Sequence, residues 1–299
     1  MGKGRKGASK KQRIIFVVIP LAIAAVALFF WVSRPIKPER EARPPVVRFP
    51  VPPVEKKEAE EKGEKEEAEK KPEVTQPPSF PRLAFIIDDV GYNKARLNGM
   101  MGTGRPMTFA ILPHTPHARQ SALTAHQNGA EVMLHLPMEP KESEHYTLEK
   151  HTLRAGMSRG AVQEILKDDL RDIPFVRGVN NHMGSKATED PVMMQALMEV
   201  LGQEKLYYID SYTSPHTMGP RMARRCGVRY GKNAIFLDRE NKLPAIKAAI
   251  YRVMKKAQRE GKAVAIGHPH PLTAQAIKEM IPEIEREGIK LVFASEVVR

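Results

Sequence analysis

Short apolar runs alternate with longer amphipathic stretches from residue 81 to the C-terminus. Brief apolar runs bounded by polar residues are typical of buried strands, whereas the longer stretches have the 3.6-residue spacing of helices. The predicted strands cover 83–87, 107–112, 131–136, 175–179, 206–209, 227–230, 234–237, 262–266 and 289–293. The predicted helices cover 117–128, 159–171, 191–201, 242–260 and 273–287. This alternation predicts βαβ units and a mostly parallel sheet.

The fold class predicted from this order is α/β, with a distorted (β/α) barrel of about seven parallel strands. An open doubly wound sheet is the alternative. No G-x-G-x-x-G follows the first predicted strand and no phosphate-binding loop motif is present. A nucleotide site is therefore unsupported.

A separate apolar pattern lies near the N-terminus. Residues 14–32 contain no charged side chain, and a helix of that length would span nearly 30 Å, about the thickness of a bilayer core. Six basic residues within 1–13 predict a cytoplasmic N-terminus. The alternative is a cleaved signal peptide, since 25–27 resembles a cleavage site. The apolar run continues past that point, which favours a retained single-pass anchor in the bacterial inner membrane.

The stretch 33–80 has the composition of a linker. Ten of its 48 residues are proline, and its 11 basic residues balance its 11 acidic ones. Such a segment has too little apolar surface to form a core, so a disordered spacer is expected. The predicted order is thus a basic cytoplasmic tail (1–13), an anchor (14–32), a linker (33–80) and a periplasmic or otherwise extracytoplasmic domain (81–299).

Charge and cysteine content narrow the function classes. The formal net charge is +13, but the domain 81–299 has only +7 of it. Because no nucleic-acid-binding motif accompanies this charge, nucleic-acid binding is not expected. The single cysteine, Cys226, excludes an intramolecular disulfide framework and a multi-cysteine metal site. A serine hydrolase is disfavoured because the chain has no G-x-S-x-G motif.

Unusual polar residues gather where predicted strands end. In parallel α/β folds, the carboxyl ends of the strands carry the catalytic groups. The candidates at these ends are Asp88, Asp89, His114, His135, Glu139, Asn180, Asn181, His182, Asp210, His268 and His270. His114 lies in a proline-rich loop and is interpreted as structural or peripheral. Asp210 is interpreted as either a site residue or a cap, and His270 as either a site residue or a solvated loop residue.

Imidazole and carboxylate groups together point to metal-dependent hydrolysis. Zinc and related divalent ions bind both ligand types and commonly keep an open position for water in catalytic sites. The metal lowers the pKa of that water towards about 7, a neighbouring carboxylate removes its proton, and a histidine protonates the leaving group. This set of residues suits hydrolysis of an amide or an ester.

Six stretches within 81–299 together resemble the divergent polysaccharide deacetylase family, a distant branch of the carbohydrate esterase family 4 deacetylases. They are FIIDDVGYN, MTFAILPHTPHA, GAEVMLHLPMEP, GVNNHMGSKAT, YYIDSYTS and AIGHPHP. The resemblance implies a distorted (β/α) barrel, a divalent metal with zinc as the expected ion, and removal of acetyl groups from a polysaccharide. From family and location, an envelope glycan such as peptidoglycan is the expected substrate.

The resemblance also implies roles for individual residues. The paired aspartates carry over as a base, Asp88, and a metal ligand, Asp89. The family's H-x-x-x-H motif matches His135 as a ligand but has Glu139 at its second histidine position. Either Glu139 or His182 is then the third ligand.

His182 is favoured over Glu139 because neighbouring asparagines such as Asn181 can orient an imidazole. His268 matches the histidine that assists the leaving group, and His270 is an additional candidate. Asp210 and Asn181 complete the candidate set. The family's arginine-containing motif has no clear counterpart here.

Two other functions remain open on the sequence. The altered second motif is also compatible with a catalytically inactive module that binds glycan or an envelope protein, since a fold does not determine a function. A metal-dependent hydrolase of another amide or ester is the other alternative.

Overall fold

The computed structural model describes residues 80–299. The predicted cytoplasmic tail, the predicted anchor and nearly all of the predicted linker lie outside these residues. Within 80–299, no helix combines the length and the hydropathy that crossing a bilayer requires.

Strands and helices alternate along the described part of the chain, as the apolar pattern predicts. The strands are β1 (Arg82–Val90), β2 (Thr108–Ile111), β3 (Glu131–Met138), β4 (Val176–Met183), β5 (Tyr207–Asp210), β6 (Tyr230–Lys232), β7 (Ile235–Phe236), β8 (Lys262–Gly267) and β9 (Lys290–Val292). The helices are α1 (Lys94–Met101), α2 (Ala118–Gln127), α3 (Arg159–Asp172), α4 (Pro191–Gln203), α5 (Gly219–Cys226), α6 (Leu243–Glu260) and α7 (Pro271–Arg286).

The strands form one parallel sheet in the order β6-β5-β4-β3-β2-β1-β8-β7, with β9 beside β1. The two ends of this order, β6 and β7, are consecutive parts of one extended segment, 230–236. The order therefore returns towards its starting point and lacks the reversal that defines a doubly wound sheet. This arrangement is consistent with the predicted distorted barrel.

The sheet has nine strands within the described residues, which matches the nine predicted apolar runs but exceeds the number of about seven expected of the barrel, for two reasons. The segment 230–236 changes partner midway, because β6 pairs with β5 whereas β7 pairs with β8. In addition, β2 pairs only with the second half of β1, and β9 occupies the position beside Arg82–Ala84. Both features are consistent with a distorted barrel.

Alternate residues of the strands belong to two different cores, because successive side chains of a strand point to opposite faces. One core joins the sheet to the helices, and from β1 it includes Leu83, Phe85 and Ile87. The other, here called the inner core, draws its buried members from the strands and the C-terminal segment. Its buried members are Ala84, Ile86, Ala110, Met133, Tyr207, Ile209, Val264, Ile266, Val292, Ala294 and Val297.

Helices α1 and α5 were not predicted from the sequence, and several strand bounds differ. Strands β1 and β4 extend three and four residues beyond their predicted ends, and one strand begins late. Helix α1 has only Leu97 and Met100 buried, so it shows little apolar periodicity, but Asn93 caps it by accepting hydrogen bonds from two backbone N–H groups. Helix α5 is rich in arginine and ends at Gly227, whose φ of +67° is left-handed. The strand predicted at 227–230 therefore begins only at Tyr230.

We expect Gly178→Ala in β4 to destabilise the domain strongly. A Cβ atom at this position would lie 2.4 Å from the ring of Tyr207, well inside the optimal carbon separation of about 3.5–4.0 Å. The ring cannot easily move, because it is fully buried and its hydroxyl donates to Glu131 at 2.7 Å. The expected loss is about 1–3 kcal/mol or more in the free energy of unfolding, measured by urea denaturation.

Gly160→Ala is the matched control for this substitution. Gly160 is an exposed residue of α3, and a Cβ atom there would have no neighbour within 4 Å. Alanine should leave stability unchanged or raise it by about 0.5–1 kcal/mol, since glycine is the less favourable residue in a helix. Equal midpoints for the two variants would contradict the close packing assigned to Gly178.

Candidate active site

Three strands bring Asp89, His135 and His182 together at the carboxyl end of the sheet. The Oδ1 atom of Asp89 lies 3.1 Å from Nε2 of His135 and 3.0 Å from Nδ1 of His182. The two imidazole nitrogens are 3.1 Å apart. We call these three residues the Asp–His–His cluster.

The donor atoms of this cluster fit a divalent cation. Ligands of a tetrahedral zinc ion are roughly 3.3 Å apart, since each lies about 2.0–2.1 Å from the metal. In addition, Nδ1–H of His135 donates to Oδ1 of Asn180 at 2.8 Å, which directs Nε2 towards Asp89 and His182. Metal-binding imidazoles are commonly oriented in this way by a hydrogen bond from their other nitrogen.

The backbone at Asp89 explains how two adjacent aspartates reach the same place. In a regular strand, neighbouring side chains point to opposite faces, and Asp88 continues the row of Ala84 and Ile86 on the inner core. Asp89 has a left-handed φ of +51°, and the pairing of β1 with β2 shifts register between Ile87 and Val90. This irregularity breaks the alternation, so both carboxylates contact the imidazole of His135.

Asp88 lies beside the cluster and is buried. It is 4% exposed, and its Oδ1 atom has no hydrogen-bond partner within 80–299. Its Oδ2 atom is 3.8 Å from Nε2 of His135, and Oδ1 is 3.5 Å from Nε2 of His268. Burial raises the pKa of Asp88 to about 6, although the neighbouring imidazoles oppose this rise. A carboxylate with a pKa near neutrality is suited to accept a proton.

The charges within the cluster are complementary. Burial alone would raise the pKa of Asp89, but hydrogen bonds from His135 and His182 hold that pKa well below its usual range. Burial alone would lower the pKa of His135, but Asp89 and Asp88 raise it above the ordinary value. The cluster therefore keeps an ionised carboxylate between two imidazoles.

His268 approaches the same place from β8 and is held by a residue that the sequence analysis missed. Its Nδ1–H donates to Oδ1 of Asp238 at 2.8 Å, and its backbone N–H donates to Oδ2 at 2.7 Å. Thr273 also donates to that carboxylate. Burial lowers the pKa of His268, but the hydrogen bond to Asp238 and the nearby carboxylates raise it to about 9. Asp238 directly follows the predicted strand 234–237, so the strand-end rule could have identified it.

Glu139 and Asp210 do not join this group. The carboxylate of Glu139 accepts from Lys186 at 2.9 Å and from the backbone N–H of Ala155 at 3.0 Å. Asp210 accepts from the hydroxyls of Thr217 and Tyr230 and from a backbone N–H. Each carboxylate thus has a full set of local partners away from the cluster.

Asn181 and His270 lie near the group without entering it. Oδ1 of Asn181 accepts from the Tyr208 hydroxyl at 3.0 Å and from the backbone N–H of Ser211 at 2.9 Å. The asparagine that orients an imidazole is Asn180, which accepts from His135. It directly precedes Asn181 in β4, so the two side chains point to opposite faces of the strand. The ring centroid of His270 is 5.8 Å from that of His268, at the wall of the adjoining cavity.

A cavity of about 230 Å³ opens beside the cluster. Asp89, His182 and His268 line its polar side, and Glu149 and the half-exposed Tyr92 lie on its wall. The Oε1 atom of Glu149 is 3.9 Å from Nε2 of His182. Sequence reasoning missed both wall residues. Glu149 lies in a long loop between β3 and α3, and Tyr92 follows β1 but carries no imidazole or carboxylate.

Residues 85–298 match the family model described as divergent polysaccharide deacetylase. The chain therefore belongs to this family, which confirms the resemblance drawn from its motifs. The chain is also 38% identical over 217 residues to YibQ, described as an uncharacterized protein of Escherichia coli K12. That match covers 73% of this chain and 67% of YibQ.

Two further similarities were found, one in sequence and one in structure. An uncharacterized protein of Haemophilus influenzae Rd is 33% identical over 211 residues, which are 71% of this chain and 74% of the relative. The crystal structure of an uncharacterized protein from Agrobacterium tumefaciens C58 superposes with a TM-score of 0.69 at 20% identity. It covers 73% of this chain and 89% of that protein.

Proposed function

We propose that this protein is a metal-dependent deacetylase of an envelope glycan, with zinc as its ion. The main support is that one oxygen of Asp89 and one ring nitrogen each of His135 and His182 lie within 3.1 Å of one another. Asp88 and His268 lie beside these three residues. A divalent cation bound there would lower the pKa of a water molecule and polarise the acetyl carbonyl. The family to which the chain belongs supports an acetylated polysaccharide as the substrate.

The remaining chemistry belongs to two residues of the chain. Asp88 accepts the proton of the attacking water, a role that its buried position and raised pKa support. His268 donates a proton to the leaving nitrogen of the amide, and its raised pKa keeps that proton available at neutral pH. Asp238 holds the ring of His268 through Nδ1, so that Nε2 faces the cluster. Acetate and the free amine are the products.

The cavity can accommodate a carbohydrate substituent. Beside apolar residues such as Leu97 and Leu112, its walls carry carboxylate, imidazole and hydroxyl groups, and Tyr92 is 56% exposed. An exposed aromatic ring can pack against the apolar face of a sugar, while neighbouring polar groups form hydrogen bonds with its hydroxyls. The predicted single-pass anchor at 14–32 would place the domain outside the cytoplasm, where peptidoglycan is the candidate substrate.

The test is release of acetate by the full-length chain, kept in mild detergent because of the predicted anchor and loaded with Zn²⁺. Peptidoglycan fragments and N-acetylated chito-oligosaccharides are compared with acetyl esters and an acetylated peptide. We expect acetate from a glycan, loss of activity on chelation, and recovery when Zn²⁺ is added back.

Two results would contradict the proposed function. Preferential hydrolysis of the non-carbohydrate compounds would indicate a hydrolase of another amide or ester. Glycan binding without acetate release, in folded and metal-loaded protein, would indicate the inactive binding module.

A further inference from the structure

A second group of imidazole and carboxylate side chains lies apart from the Asp–His–His cluster. Its two histidines are His114, in the loop after β2, and His151, in the loop between β3 and α3. The facing carboxylates, Asp168, Asp169 and Asp172, all belong to the end of α3. We call these five residues the loop–helix cluster. The proposed deacetylase chemistry uses none of them.

The nitrogen and oxygen atoms of the loop–helix cluster are as closely spaced as metal ligands. The Oδ1 atom of Asp169 is 2.9 Å from Nε2 of His114 and 3.1 Å from Nδ1 of His151. The Oδ2 atom of Asp168 is 3.8 Å and 3.5 Å from the same two nitrogens. These separations bracket the roughly 3.3 Å between ligands of tetrahedral zinc, and His114, His151 and Asp168 satisfy the spacing of a metal-binding group.

The buried carboxylate of Asp169 lacks a partner for one of its oxygens. Asp169 is 0% exposed, and its Oδ2 atom accepts no hydrogen bond from the described residues. Its other oxygen is directed at both imidazoles. A buried carboxylate without full compensation is costly, and a cation held between the two histidines would supply the missing positive charge.

The position of the acidic residues on α3 also favours a bound cation. All three lie in the last two turns of the helix, where the helix dipole disfavours negative charge. Arg171 forms an ion pair with Asp168 at 2.7 Å, and the backbone N–H of His114 donates to Asp172. The same two turns contain two basic residues, Lys167 and Arg171, so the three carboxylates leave the end of the helix with one excess negative charge beside two imidazoles.

We propose that His114, His151, Asp168 and Asp169 form a second divalent-cation site of the zinc type, distinct from the Asp–His–His cluster. Two imidazole nitrogens with carboxylate oxygens are ligands that suit zinc. This site stands independently of the proposed deacetylase function, because it uses other residues and needs no turnover.

The loop–helix site has a structural role next to the cavity. Leu112 and Glu149 line the cavity, and His114 and His151 follow each of them by two residues. A cation bound to both histidines ties the two loops to α3. The second ion therefore holds two walls of the cavity in place without contacting the substrate.

The experiment counts zinc ions in the full-length chain in detergent, after removal of metal and equilibrium dialysis against Zn²⁺. We expect two equivalents in the wild type and one in Asp89→Ala/His135→Ala, which lacks the Asp–His–His cluster. Adding His151→Ala should remove the remaining equivalent. Adding His145→Ala instead should not, since His145 lies in the same loop with its side chain 72% exposed and outside the cluster.

Unfolding temperatures are measured alongside the metal content. Zinc should raise the unfolding temperature of Asp89→Ala/His135→Ala and have no effect once His151→Ala is added, because an ion that binds only the folded state stabilises it. No bound zinc in a folded Asp89→Ala/His135→Ala protein would overturn the proposal. If Asp89→Ala/His135→Ala fails to fold, the single variant His151→Ala replaces it. One bound zinc ion per chain in His151→Ala would support the second site, and two would refute it.

Discussion

Asp88→Asn is expected to lower the turnover number for deacetylation by about 10²–10⁴-fold, the usual contribution of a general base. The amide keeps the shape of the side chain but cannot accept the proton of the attacking water. Metal content should stay at the wild-type level, since Asp88 is not one of the three residues within 3.1 Å of one another. Acetate release under single-turnover conditions and elemental analysis measure the two quantities.

Asp210→Asn is the matched control for Asp88→Asn. Both aspartates are buried near the carboxyl ends of strands, but the carboxylate of Asp210 binds Thr217 and Tyr230 away from the cluster. Its turnover should remain within a few-fold of the wild type. Full activity in Asp88→Asn, or equal losses in both variants, would show that Asp88 is not the base.

Asp89→Ala, His135→Ala and His182→Ala should each remove one equivalent of divalent metal and abolish deacetylation. Each substitution deletes one of three donor atoms, and the remaining two cannot hold zinc tightly, because catalytic zinc commonly needs three protein ligands. Elemental analysis of the full-length protein, beside acetate release, is the measurement. The decisive variant is His182→Ala, because the sequence left its role open against Glu139.

Glu139→Gln is the comparison that settles the third ligand. Its carboxylate is engaged with Lys186 and a backbone N–H rather than with the two histidines. We therefore expect wild-type metal content and, at most, a loss of stability of about 1 kcal/mol from the weakened ion pair and hydrogen bonds. Metal loss in Glu139→Gln together with retention in His182→Ala would reverse the assignment.

The sequence was informative wherever one local rule governs the outcome. The apolar runs anticipated the order of the strands because burial on both faces makes parallel strands continuously apolar, and the amphipathic stretches anticipated five of the seven helices of the described residues. The strand-end rule selected Asp89, His135 and His182 before the structure brought them together. The same rule also selected Glu139 and Asp210, since it cannot tell a side chain that faces the cavity from one with other local partners.

Irregular backbone was beyond the reach of these rules. A regular strand would direct the side chains of Asp88 and Asp89 to opposite faces. The left-handed backbone of Asp89 and the register shift between β1 and β2 bring both carboxylates to His135 instead. Likewise, the sequence predicted two short strands within 227–237 but gave no indication that β6 pairs with β5 and β7 with β8. Apolar periodicity contains no information on either event.

From the sequence alone, the order of all strands and of five helices, the family and the principal candidate ligands could be predicted, because apolar periodicity and short motifs are properties of neighbouring residues. Only the tertiary structure decided which distant groups meet. It paired Asp238 with His268 across 30 positions and brought His114 of one loop to Asp169 on α3. Such contacts depend on how strands and helices pack in three dimensions, and no spacing along the chain encodes them.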